Sequence, residues 1–179
     1  MASPKTRYMD AQRTLSELRK IYKEWNEKEP RVFEVQDALE LFLTRSYSLG
    51  QHIKMQLRKE VRQESTKATK GKAKQAAPTD VDKFIKNSKY INFADDVAAS
   101  FRHGGWKDEP KSGRQRPPSH QIVITINQTG ASKSRYIFVS ETEKHDALEL
   151  AEGCMKEWNA FIADNGIVLE GPKPKKTAI

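Results

Sequence analysis

The sequence predicts a mainly α fold, a helical bundle with one small antiparallel β-hairpin before the C-terminal helix. Three observations carry this. The stretch from Val32 to Arg62 keeps a 3.6-residue apolar period too long for a strand. The same period recurs near both ends of the chain. It gives way only once, between residues 121 and 139, to short β-branched runs.

At 100° per residue, Val35, Leu39, Phe42, Leu43, Leu49, Ile53 and Leu57 fall within one stripe of this central helix. Asp37, Glu40, Lys54 and Arg58 fall outside it. Ser46 and Gly50 lie inside the stripe, where their small size would let a neighbouring helix approach closely. Glycine costs about 1 kcal/mol against alanine in a helix, so close packing gives a reason to keep it.

The remaining elements follow in order. Tyr8 to Asn26 reads as a first helix with Met9, Leu15, Leu18, Ile21, Tyr22 and Trp25 on its apolar face, stopped by Pro30. The short turn from Glu27 to Arg31 makes it an antiparallel partner of the central helix. Residues 64–78 lack any bulky apolar side chain and read as a mobile basic linker. After an N-cap at Thr79 or Asp80 come apolar residues from Val81 to Phe101, broken at Asn87-Ser88 into two helices, the second from about Asn92 to Arg102. His103-Gly104-Gly105 ends it. A Pro-rich loop from Lys107 to Ser119 leads to two strands, Gln121 to Asn127 and Arg135 to Val139, joined by a turn around Gly130. Glu143 to Asp164 reads as the last helix, ended by Asn165-Gly166. The chain thus divides into an N-terminal tail (1–7), a single helical domain (8–166) and a disordered basic tail (167–179).

Composition limits the function classes. The apolar fraction is low at 36% and the charged fraction high at 31%. No apolar run reaches the length of a membrane span and the N-terminus has no apolar signal core. The single Cys154 excludes an internal disulfide and a cysteine-built metal site, and reads as a small buried thiol. No zinc spacing, phosphate-cradling glycine loop or nucleophile elbow is present, so no cofactor or metal is expected. A cytoplasmic protein with no membrane partner is the expectation.

The formal charge of +8 sits at the edges. Residues 63–79, with Lys67, Lys70, Lys72 and Lys74, contribute +3. The 106–120 loop, with Arg114 and Arg116, contributes +2, as does the tail from 170. Flexible lysines and arginines of this kind bind phosphate backbones without sequence preference, so nucleic acid is one expected partner. A solubilising tail and a tolerated insertion explain the same residues equally well. A homodimer or protein partner is another expectation, self-association running through Tyr47, Leu41 and Met55.

One pair suggests chemistry. Arg45 and His52 are seven residues apart, so their side chains lie within about 20° of each other at the edge of the stripe. A histidine there could move a proton at a ribose 2′-hydroxyl while the arginine stabilises a charged phosphorane-like state. A surface arginine and histidine flanking the stripe is the structural reading, and the favoured one. His103 is a weaker candidate that could join His52 if their helices are neighbours. Asp95 and Asp96 diverge by 100° and read as capping or solvated residues.

The Arg45–His52 spacing resembles the Arg–His motif of the HEPN superfamily. That resemblance implies an all-helical fold, often dimeric, with the Arg–His pairs of two protomers forming a metal-independent ribonuclease site in bacterial toxin or antiphage systems. The order of segments, with Asp96-Val97-Ala98-Ala99 and Arg102-His103, also resembles a group of uncharacterised bacterial helical proteins. The leading expectation is a bacterial binding or interaction module, with the ribonuclease as its rival.

Overall fold

The computed structural model describes residues 3–27, 32–64, 77–103, 118–126 and 132–171. Within them are five helices, α1 (Pro4–Glu27), α2 (Val32–Glu64), α3 (Pro78–Asn87), α4 (Lys89–His103) and α5 (Ala147–Asp164), and three strands, β1 (Ser119–Ile126), β2 (Ser132–Val139) and β3 (Lys144–Asp146). The fold is mainly helical, with a small antiparallel sheet before the last helix, as the periodicities require.

The central stripe is the core. Val35, Leu39, Phe42, Leu43, Leu49, Ile53 and Leu57 are all buried. Its most extensive helix–helix contact is with α1, which returns Ala11, Leu15, Leu18 and Tyr22. Met9, expected on that face, is instead 58% exposed, because it sits more than 100° from the centre of the buried arc. Helix α5 runs parallel to α2, as Trp158 meets Ser46 and the chain after α5 meets Gln56. The indole Nε1 donates to Ser46 Oγ at 3.0 Å. A Cβ on Gly50 would stand 3.0 and 3.1 Å from two carbons of the same ring. The close approach expected at these small residues is therefore the seat of Trp158.

Helix α3 begins at Pro78, with Ala77 at the cap position in place of Thr79 or Asp80. Asp80 serves at the third helical position, its Oδ2 accepting from Ala77 N at 2.7 Å. Ser88 separates α3 from α4, donating from both N and Oγ to the Phe84 carbonyl. Helix α4 begins at Lys89, three residues before the expected start. Its first amides are held from outside: the Glu157 carboxylate on α5 accepts from Lys89, Tyr90 and Ile91 N at 3.0–3.3 Å.

The expected hairpin is the β1–β2 pair, with His120 opposite Phe138 and Ile122 opposite Tyr136. A third strand, β3, pairs with β2 through His145 and Phe138. It occupies Lys144–Asp146, expected as the first turn of the last helix. Asp146 explains the shift, since its Oδ1 accepts from Leu148 and Glu149 N and caps α5 one residue past the strand. At the other end of α5, Gly166 takes φ +58° and Ile167 N reaches back to the Ile162 carbonyl, a Schellman ending.

Helix α1 starts at Pro4, inside the stretch expected as a tail. Beyond α5, residues 167–171 dock on the body. Ile167 is buried, Gln56 donates to the Val168 carbonyl and accepts from Glu170 N, and Lys5 N donates to the Glu170 carbonyl. Among the described residues, no helix is long and apolar enough to cross a membrane.

Candidate functional site

Arg45 and His52 sit on the edge of α2 nearest α1, about 10 Å apart along the axis at 1.5 Å per residue. Arg45 reaches across the hairpin, its Nη1 3.8 Å from Asp10 Oδ2. Its Nε is buried without a hydrogen-bond partner among the described residues. His52 is half-buried and turned back on its own helix. Its Nδ1 lies 2.8 Å from the Ser48 carbonyl oxygen, so Nδ1 carries the proton and Nε2 is the acceptor in the neutral ring. Each candidate thus has a local anchor of its own.

Asp10 gathers two further guanidiniums, with Arg13 Nη2 at 3.3 Å and Arg7 Nη1 at 3.9 Å. Three arginines around one carboxylate leave two positive charges in excess at the α1–α2 edge. The contacts of Arg7 and Arg45 are long, at 3.9 and 3.8 Å, and Arg13 is 67% exposed, so the ion pairs themselves hold the fold weakly. Sequence reasoning found only Arg45 of this group. Its partners lie on another helix, and a wheel of one helix cannot show them.

The other sequence candidates scatter. His103 closes α4, with its side chain outside the described residues. Lys67, Lys70, Lys72, Lys74, Arg114 and Arg116 lie outside them too. Asp96 is only 5% exposed, a buried residue and not a solvated one, because α4 packs on both α2 and α5. His145 is a core residue, 3% exposed. Its Nε2 donates to Glu143 Oε2 at 3.0 Å, and the rings of Phe93 and Tyr90 stand edge-on to it. His120 stacks on Tyr136. Cys154 is fully buried and its thiol is pushed well up by that burial, as expected of an unreactive core cysteine. Among the described residues, no three His, Cys, Asp or Glu side chains are grouped to hold a metal ion.

A buried polar cluster between α1 and β2 is structural. The Tyr22 hydroxyl donates to the Tyr136 carbonyl at 3.3 Å and accepts from Tyr136 N at 3.4 Å, tying α1 to β2. Burial, and then the nearby Asp146 carboxylate, push the Tyr22 phenol far above its ordinary range. Burial raises Tyr136 to about 12, and it also raises Asp146 against the pull of its capping amides. Phenols held protonated this firmly neither donate protons nor attack near neutral pH. They do make the fold sensitive to alkali. Above pH 10 the unfolded chain releases phenolic protons that the folded chain keeps, so stability falls as pH rises from 10 toward 12. Urea melts across this range should show the loss, and Tyr136→Phe should reduce it, leaving the share that Tyr22 carries. An unchanged midpoint up to pH 12 would rule this out.

Compared with protein-family models, curated proteins and solved structures, the chain matches none.

Proposed function

We propose that the protein is a binding module for the phosphate backbone of nucleic acid, engaging it without base preference. The separation of charge along the chain carries this reading. Residues 63–79, 106–120 and 170–179 hold 11 Lys and Arg against 4 Asp and Glu, a net of +7, while the rest of the chain holds 21 against 20, a net of +1. The basic character of the protein therefore lies in three stretches of its sequence, with Lys67, Lys70, Lys72, Lys74, Arg114 and Arg116 among them. Within the body, the arginine excess around Asp10 offers a further phosphate contact.

Binding of this kind releases counterions, so its affinity is steep in salt. If six of these cations meet phosphates, affinity for a DNA duplex should fall about 10³-fold between 50 and 200 mM salt. Replacing Lys67, Lys70, Lys72 and Lys74 by Gln should lower the slope of log K against log salt by about 3–4. Fluorescence anisotropy with duplex and single-stranded probes measures both. No binding at 50 mM salt would end the proposal.

The second reading is a metal-independent ribonuclease using Arg45 and His52. The His52 tautomer favours it, since a neutral ring with Nδ1 bonded to Ser48 presents Nε2 as a base. Total RNA incubated with the protein and a chelator, beside His52→Ala, separates the readings. Cleavage by the native chain alone would make the enzyme the leading account. RNA bound but intact in both lanes leaves the binding module.

A further inference from the structure

From the sheet we infer that the protein forms a two-fold dimer by pairing β1 with β1 of a second copy, with Ile122 on the axis. The sheet order is β1-β2-β3, so β1 is an edge strand eight residues long. Among the described residues, nothing pairs with its outer side. A strand edge left open is a template for another chain, and monomeric proteins blunt such edges with charges, prolines, bulges or short strands. β3, at the other edge, is three residues long and carries Lys144. β1 has none of these devices. Its sequence, SHQIVITI, contains no charged residue and no proline, and half of it is β-branched isoleucine or valine with one threonine besides.

The same neutrality selects the occupant. A strongly charged extended peptide would find nothing on β1 to steer or match it. A second β1 matches in length and composition, and no like charges face each other. Antiparallel pairing about a two-fold axis on Ile122 sets Ile122 against Ile122 and Gln121 against Val123. Ile122 is 42% exposed, one of the few large apolar side chains so placed, and a facing copy would cover it. The interface is isologous and closes on itself, giving a dimer and not a fibre. It joins two three-stranded sheets into one of six strands. This inference is independent of nucleic-acid binding, although a dimer would present two sets of basic segments to one strand.

Sedimentation velocity from 5 to 200 μM tests it, with the native chain, Ile122→Lys and Ile122→Glu. The native chain should show a concentration-dependent dimer. Each variant alone should be monomeric, because it sets two like charges opposite each other on the axis. An equimolar mixture of the two should recover the dimer by facing Lys with Glu. Helical circular dichroism of each variant verifies that the body remains folded. A native monomer at 200 μM overturns the inference, as does a dimer that survives both substitutions. A mixture that stays monomeric overturns the pairing on Ile122.

Discussion

Trp158→Ala is expected to destabilise the protein by about 3–5 kcal/mol, the usual cost of removing a large aromatic from a closed core. The indole is 1% exposed and lies over Gly50, where α2 offers no side chain. Phe84 of α3 meets it edge-on at 5.4 Å and Phe161 of α5 at 6.2 Å. Removing it therefore opens a cavity shared by three helices, and rigid helix backbones limit how far the site can collapse. For a domain of this size the thermal midpoint should drop by roughly 10 °C. Trp158→Phe isolates one part of the loss. It keeps most of the apolar volume but leaves Ser46 Oγ without the Nε1 donor, so it should cost less than the alanine variant. Urea melts followed by circular dichroism give both numbers. A Trp158→Ala cost below about 1 kcal/mol would mean that α5 is not seated on α2 as described.

This seat is also the clearest case of what could be read from the sequence. Ser46 and Gly50 interrupt an otherwise bulky stripe, and a periodic pattern with small residues at its centre announces a close neighbour. The pattern names the need, not the neighbour, so Trp158 could not be paired with Gly50 beforehand. Where burial comes from another element, periodicity fails. Lys54 lies at the margin of the stripe, yet it is 7% exposed because α3 covers it and Asp82 accepts its ammonium at 2.5 Å. Glu157 on α5 caps α4, a role that only the packing of the two helices reveals. Lys144–Asp146 is a strand because β2 is there to pair with it, although its own composition is neutral on the matter. The candidate site divides in the same way. The common edge of Arg45 and His52 was legible from a 700° separation. The anchoring of Arg45 to Asp10, with Arg7 and Arg13 around it, needed the α1–α2 hairpin to be assembled.

Gly153→Ala is the second substitution with a large expected effect, and its sign depends on one neighbour. Alanine is about 1 kcal/mol better than glycine in a helix interior, so on propensity alone the change should stabilise α5. The position is buried, however, and a Cβ there would fall 2.3 Å from Tyr90 Cγ and within 2.6 Å of two more ring carbons. Real Cβ atoms do not come so close. The Tyr90 ring must turn out, losing its edge contact with His145 and the bond from its hydroxyl to Glu149 Oε1. Otherwise α4 must part from α5, straining the amides that Glu157 holds. Either route should outweigh the propensity gain and leave Gly153→Ala destabilised by about 1–3 kcal/mol. Removing the ring removes the clash. In a Tyr90→Ala background the same Gly153→Ala change should stabilise by up to about 1 kcal/mol, giving a coupling of about 1–4 kcal/mol between two residues on different helices. Urea midpoints of the four proteins close this cycle. Additive effects, with Gly153→Ala carrying one sign in both backgrounds, would show that the Tyr90 ring does not lie against Gly153.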